Sequence, residues 1–366
     1  MFENKTVPNI TTEMLRNIDD SYEKTVGNPT ADIVTSFAIE SKNLWLELAN
    51  LFNKLDVDLL VGDELTKYVL QRKAIIRKIS NKAKANLTIT GNGNIVIGDL
   101  FSTSSDIQFK SLESITVVGT VIVKVEALIG GINGNVGANS ITQFPVTLAG
   151  IITCNNPLSS YDGFEEETDD SIRARYYEAL QVAPTSGNKY HYLKWAKEKT
   201  GVGDAKVIPL WNGDKTVKLI IIDSNKQVAS TDVVASVQNY IDPKGIYDSI
   251  TSKWSTWGTG SGQAPIGAYC TVVSATSKLI NIDLVDIQEE TNYTLVDITN
   301  SLKINIATYL KEVAFKQDYV SYAKIGNVIL NTIGVADYTT LTINGGNINI
   351  PILNEEVAIL GVVNVV

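Results

Sequence analysis

Asp162-Gly163-Phe164-Glu165-Glu166-Glu167-Thr168-Asp169-Asp170 opens the stretch whose reading decides the fold, and Tyr240-Ile241-Asp242-Pro243 closes it. After the turn pair and the acidic run, Ile172, Tyr176, Ala179 and Leu180 recur at helical spacing. A Pro184-Thr185-Ser186-Gly187 loop interrupts the pattern. Asn188 is placed to cap a second helix that stops at Gly201. Two apolar strands follow, Ala205 to Trp211 and Thr216 to Asp223, joined around Asn212-Gly213, a strong hairpin signal. A third helix, Ser230 to Ile241, ends where Pro243 forbids continuation. The reading is a helix–helix–hairpin–helix module.

No catalytic machinery accompanies it. His191, the only histidine, sits in the aromatic run Lys189-Tyr190-His191-Tyr192, and no Gly-x-Ser-x-Gly elbow occurs anywhere. One histidine and two distant cysteines do not make a zinc site. The run Glu165 to Asp170 lacks the alternating ligands and the glycine of a calcium loop. A local run also cannot set two carboxylates opposite each other across a sugar. Acids at the positive end of a helix dipole account for it better. We therefore expect no enzymatic activity, no metal and no cofactor.

Bulk properties narrow the class. The chain has 366 residues, 44% of them hydrophobic and 19% charged, which suits ordered globular structure. A net charge of -9 argues against coating nucleic acid. No apolar stretch approaches the ~18 residues of a membrane helix, and MFENKTVPNI does not have the build of a signal peptide. Cys154 and Cys270 are read as buried free thiols of a protein that folds in a cytoplasm.

Outward from the module, residues 11–25 suggest a short helix with Leu15, Ile18 and Tyr22 on one side. Asn28-Pro29 then starts a helix running to about Lys54. Its length is on the order of 40 Å at ~1.5 Å per residue. Val34, Phe37, Ser41, Leu44, Leu48, Leu51 and Leu55 form a heptad seam, and Ala38, Trp45, Ala49 and Phe52 form a second stripe beside it. Two adjoining stripes with only short helices nearby point to a bundle shared with another chain. The interface candidates are therefore Val34, Phe37, Leu44, Trp45, Leu48, Leu51, Phe52 and Leu55. Gly62-Asp63-Glu64-Leu65 starts a further helix to about Asn81, and Lys67, Arg72, Lys73, Arg77, Lys78, Lys82 and Lys84 make this the most basic segment, which could meet an acidic partner or a nucleic acid but in an acidic chain reads as a solvated face.

Residues 86–153 alternate with period two, as at Leu87, Ile89, Ile95 and Ile97, or Val121, Val123 and Val125, which predicts a small antiparallel β-domain. Gly91-Asn92-Gly93-Asn94 reads as a turn within it. Beyond the module, residues 244–263 read as a flexible loop in which Trp254 and Trp257 either pack down or anchor a partner. The last hundred residues give a strand at Ile280 to Leu284, a long helix from Leu295 to Val313, a short strand near Tyr319 and a helix from Ile325 to Ile333. Gly334-Val335-Ala336-Asp337, a strand, an Asn344-Gly345-Gly346 turn and another strand follow, and Val362 to Val366 is a terminal strand. This echoes Gly201-Val202-Gly203-Asp204 and Asn212-Gly213, and we read it as an internal duplication. The expected organisation is α+β and multi-domain: N-terminal helices over 1–85, a β-domain over 86–157, and two related α+β domains over 158–275 and 276–366.

The central stretch resembles the baseplate J-like proteins of contractile phage tails and tailocins. The residues that carry the resemblance are Asn156-Pro157, Asp162-Gly163 with its acidic run, Ser171-Ile172-Arg173-Ala174-Arg175, Gly187-Asn188 and Tyr192-Leu193-Lys194-Trp195-Ala196. With them go Gly201-Val202-Gly203-Asp204-Ala205, Pro209-Leu210-Trp211-Asn212-Gly213, Tyr240-Ile241-Asp242-Pro243 and Ala264-Pro265-Ile266-Gly267-Ala268. Gly130, Gly134-Asn135-Val136 and Gly62-Asp63-Glu64-Leu65 extend it upstream. The resemblance implies a structural role. Two copies in different conformations join a smaller wedge protein through a helical bundle, and C-terminal domains contact neighbouring wedges, sheath and hub proteins. It implies synthesis in a bacterial cytoplasm and assembly into a virion or tailocin baseplate, with neither nucleic acid nor membrane as partner. The 244–263 loop departs from the family by its length. Two other readings stay open: a carbohydrate-binding adhesin using Trp254 and Trp257 as a sugar platform, and a cell-wall hydrolase.

Overall fold

Asn28 caps the longest helix as its sequence predicts: its side chain accepts the Thr30 N–H and Pro29 takes the first turn of α2 (Pro29–Asn53). In the computed structural model, which describes residues 5–181 and 185–365, the chain divides into two units. One comprises Met1–Arg77 and Thr168–Glu178; the other comprises Lys78–Glu167 and Ala179–Val366.

The first unit is helical. The predicted 11–25 helix lies further upstream, as α1 (Val7–Arg16), because Thr6 caps it and Pro8 fits its first turn. Ile10 of α1 and Ala31, Val34 and Ala38 of α2 are buried, and the two helices are in contact. The helix α3 (Gly62–Lys73) is shorter than expected: Ala74 turns left-handed at φ 51° and stops it. Arg77 then folds back, its Nε donating to Thr66 Oγ1 at 2.7 Å. The basic run is thus partly spent inside the protein, since Arg77 also pairs with Asp169 at 2.5 Å. Most of the first helix of the quoted module, α4 (Asp169–Gln181), belongs to this unit. Arg173 donates to the carbonyls of Val57 and Leu60, and Tyr177 Oη donates to Asp58 at 2.8 Å.

The second unit begins with a six-stranded sheet in the order β5-β2-β3-β4-β1-β6. Its strands are β1 (Lys82–Ile95), β2 (Leu100–Thr103), β3 (Gln108–Ser111), β4 (Ile115–Gly130), β5 (Ile141–Gln143) and β6 (Ile151–Asn155). Leu87, Ile89, Phe101, Phe109, Val123 and Ile141 fill the interior. The end strands β5 and β6 are bridged by the buried Asn156. Its Oδ1 accepts the Ser140 and Ile141 N–H groups, and its Nδ2 donates to the Gly137 and Leu158 carbonyls. This near-closure protects edges that would otherwise pair with other chains. Gly91-Asn92-Gly93-Asn94 is not a turn. It lies inside β1, paired with Gly119 to Thr116 of β4. Its glycines let residues 149–151 cross at backbone contact, where a Cβ on Gly93 would sit 2.2 Å from the Ala149 oxygen.

Downstream come α5 (Lys189–Glu198), β7 (Val202–Pro209), β8 (Thr216–Asp223) and α6 (Thr231–Ile241). Pro184 lies outside the described residues. The hairpin forms as read, with Pro209 opposite Val217, although its connection widens through left-handed Leu210, Gly213 and Lys215. Residues 244–263 are ordered around the short pair β9 (Tyr247–Asp248) and β10 (Lys253–Trp254). Then β11 (Tyr269–Ser274) runs parallel to β8, giving the order β11-β8-β7. Tyr192, Trp195, Leu219, Ile221, Val233, Val237 and Val272 form the core on one face. Ile220 and Ile222 on the other face meet Ala275, Ala314 and Val357, which is why β8 reads as an unbroken apolar run.

The last part contains β12 (Thr276–Val285), β13 (Gln288–Glu289), α7 (Leu295–Val313), β14 (Tyr319–Val320) and α8 (Tyr322–Leu330). It ends with β15 (Val335–Asp337), β16 (Thr340–Ile343), β17 (Ile350–Pro351) and β18 (Glu356–Val365); Val366 lies outside the described residues. In this sheet β12 is central, antiparallel to β16 and parallel to β18. The echo between the two halves stops at pairing. β15 joins β13, and β17 joins β14; the Asn344-Gly345 turn is closed by an isolated bridge between Ile343 and Gly346, and β17 does not return along β16. The buried Leu341 and Ile343 commit β16 to β12 and the core beneath α7. Both sheets nonetheless flank a central strand with one antiparallel and one parallel neighbour. The architecture is mixed α+β.

Candidate partner interface

Along α2 the two sequence stripes separate into a covered end and a bare one. Val34, expected on the partner seam, is buried with Ala31 and Ala38 because α1 lies there. Phe37 is 64% exposed, Leu44 69%, Leu51 60% and Leu55 63%. Leu48 and Phe52 are exposed as well. Trp45 is half-buried, with the Lys5 ammonium 5.3 Å from its ring. On α2 the bare stripe runs from Phe37 to Phe52, about 22 Å at ~1.5 Å per residue, and Leu55 follows just past the helix end. Burying one such side chain is worth about 1.5–3 kcal/mol, and several lie exposed in a row along this helix.

The acidic run does more than sit at a helix end. Only Asp169 and Asp170 lie in the first turn of α4. Glu165 Oε1 accepts the Ile132 N–H at 2.8 Å, and Glu167 Oε2 accepts the Lys78 N–H at 3.1 Å. Asp169 Oδ2 accepts the Gly62 N–H at 2.9 Å. Alternate acids, two in the segment before α4 and one in its first turn, therefore each satisfy a backbone donor on a different segment. The Gly62 N–H, then Arg77, hold the Asp169 carboxyl below the usual carboxylate range. Phe164, in the segment before α4, is buried in the core beneath α5 and α6. Asp162 takes a left-handed φ of 63° and accepts from Ser230, the cap of α6, at 2.7 Å.

Trp254 and Trp257 have different surroundings. Trp254 is 37% exposed and rests on Tyr247. Trp257 packs inward: its Nε1 donates to the Cys270 carbonyl at 2.9 Å, and its ring meets Tyr269 edge-on. The Lys244 ammonium lies 5.7 Å from the Trp254 ring and 5.0 Å from the Trp257 ring. Periodicity could not assign Trp257, since its partner is a backbone carbonyl thirteen residues away.

The remaining titratable groups have structural surroundings. His191 stacks on Trp195 at 4.0 Å, and burial lowers its pKa. Both cysteines are free and buried, and burial pushes Cys154 up to about 11 and Cys270 up to about 12. Burial lifts Asp223 to about 6 despite hydrogen bonds from the Gln227 and Asn225 backbone. Among the described residues no group of three or more His, Cys, Asp or Glu is arranged to hold a metal, and no helix is long and apolar enough to cross a membrane.

Three family models match the chain: the "Baseplate J-like protein barrel domain" over residues 86–163, the "Baseplate J-like central domain" over 184–274 and the "Baseplate J-like protein C-terminal domain" over 280–366. The phage-like element PBSX protein XkdT of Bacillus subtilis (strain 168) is 30% identical over 372 residues, covering 100% of this chain and 99% of that protein. Baseplate protein gp47 of Escherichia phage Mu is 27% identical over 178 residues, covering 46% of this chain and 49% of that one. A chain of the anti-feeding prophage baseplate structure aligns with a TM-score of 0.36 at 10% identity, covering 97% of this chain and 89% of that one. With most of its length matched by these models and a full-length relative at 30% identity, the chain belongs to the baseplate J-like protein family.

Proposed function

We propose that this protein is a structural component of the baseplate wedge and inter-wedge ring of a contractile tail, in a phage or a tailocin. It works through protein–protein contacts and not through chemistry. Family membership supports the baseplate role, and the baseplate protein of phage Mu is among its relatives. The observation that carries the wedge reading is the bare stripe from Phe37 to Leu55. In this reading the N-terminal helices over 1–85 supply one member of a helical bundle. A second copy in another conformation and a smaller wedge protein supply the rest. The β-domain over 86–157 and the α+β parts over 158–275 and 276–366 supply contacts to neighbouring wedges, sheath and hub. Rearrangement of such contacts would accompany sheath contraction.

The test is co-purification from cells that make the particle. Leu48→Asp places a charge in the centre of the stripe at an exposed position. It is expected to abolish recovery of wedge partners while the chain's circular dichroism and melting temperature stay unchanged. Normal partner recovery by this variant would remove the assignment.

A further inference from the structure

The segment between Asp242 and Cys270 is a mounted lobe. Asp242 is fully buried, and its carboxylate accepts the Gly258 and Cys270 N–H groups, both at 2.9 Å. Gln238 braces the same point, donating to the Asp242 and Cys270 carbonyls and accepting the Val272 N–H at 2.8 Å. On this base β9–β10 holds out Ile250, 93% exposed, Ile246, 80%, Tyr247, 49%, and Trp254. Lys244 and Lys253 flank these side chains. Asp248 faces Lys253 in register, yet no ion pair joins them. The Asp248 carboxylate instead accepts from Ile250 N and Thr251 Oγ1 of its own turn. An apolar tip flanked by two lysines and by Asp248, whose carboxylate is taken up by its own turn, thus stands on a chain of net charge -9.

A surface of the opposite kind lies at the start of α7. From Val285 through Ile298 the sequence holds Asp286, Glu289, Glu290 and Asp297 and no Lys or Arg. The Glu290 N–H donates to the Gly334 carbonyl at 2.8 Å, and a Cβ on Gly334 would lie 2.9 Å from the Tyr293 ring. Glu290, Tyr293 and the neighbouring Ile333 therefore share one surface, with Ile333 66% exposed and Tyr293 40%.

We propose that the lobe of one copy, at Ile250, Trp254 and Lys253, docks on the acid-rimmed patch of a second copy, at Tyr293, Ile333, Glu289 and Glu290. This rests on the inter-wedge ring reading and gives it a contact. Each surface has an apolar centre, and their rims carry opposite charge, the arrangement that selects a partner and fixes its register. The two surfaces are different parts of the chain, so repetition of the contact is heterologous and can close a ring.

The test uses two full-length chains with different tags, one carrying Ile250→Cys and the other Ile333→Cys, co-produced in cells that assemble tails. Cys154 and Cys270 are buried and do not compete. Mild oxidation is expected to link the two tags in purified particles. Lys253→Glu should remove most of that link, and adding Glu289→Lys with Glu290→Lys should restore it. Particles that contain both chains but show no mixed link overturn the docking contact and leave the baseplate reading standing. Linkage of the Ile250→Cys chain to itself also overturns it. Tails that lack the chain altogether overturn both.

Discussion

Glu167 and Lys78 hold each other reciprocally: the Glu167 carboxylate accepts the Lys78 N–H at 3.1 Å, and the Glu167 N–H donates to the Lys78 carbonyl at 2.9 Å. Glu167 is 9% exposed, so loss of its carboxylate strands a backbone donor. Leaving such a donor unsatisfied costs about 1–3 kcal/mol. Glu167→Ala is expected to lower stability in urea by that amount, whereas Glu167→Gln, which keeps an acceptor, should lose less than half of it. Equal losses in the two variants would contradict the role of the acceptor.

Asp223 should give a pH signature. Burial raises its pKa to about 6 in the folded chain, above the 3.8 of an ordinary aspartate. The folded state holds this proton more tightly, so the group's cost is absent well below pH 4, grows as pH rises from about 4 to about 6, and is constant above that. At about 1.36 kcal/mol per unit the full cost reaches ~3 kcal/mol. Asp223→Asn retains an acceptor for the Gln227 N–H and removes the charge. Relative to wild type it should be stabilised progressively between about pH 4 and about 6.5, with no further gain above that, read by thermal melts. A difference that does not change with pH would contradict this.

The crossing of residues 149–151 over β1 depends on bare backbone. Gly150 has φ +78°, and a Cβ there would lie 1.9 Å from the Asn92 oxygen. Gly150→Ala should destabilise the β-domain by roughly 3 kcal/mol or more. Hydrogen exchange of β1 and β6 would report it; unchanged protection would argue that the crossing yields.

The two candidate tryptophans should respond differently. Trp257→Ala removes inward packing and the hydrogen bond to Cys270, and is expected to cost roughly 2–3 kcal/mol. Trp254→Ala removes a more exposed ring and should cost less than ~1 kcal/mol. Equal losses would contradict their different surroundings.

Local signals in this sequence were legible and long-range ones were not. The Asn28-Pro29 cap, the Asn188 and Ser230 caps, the β7–β8 hairpin and the period-two β-domain follow from residues a few positions apart. The end of α3 at Ala74 did not announce itself, because alanine favours helix and only the fold-back of Arg77 onto Thr66 and Asp169 explains the stop. The glycines of Gly91 to Asn94 read as a turn, since nothing in their spacing shows that another backbone crosses them. The acids of the run bond to donors at Ile132, Lys78 and Gly62, at separations of 33, 89 and 107 residues, which no local rule can pair. The exposed stripe of α2 was readable as a pattern, but the cover that α1 lays over Val34 was not.

The central claim concerns that stripe. Electron microscopy of particles from producer cells whose only copy of this gene carries Leu44→Asp and Leu48→Asp tests it most directly. Both positions are exposed, so the chain should remain folded. The account predicts no sheathed, baseplate-bearing tails in these cells, with wild-type numbers restored by the unmodified gene. Complete contractile tails containing the variant chain would contradict it.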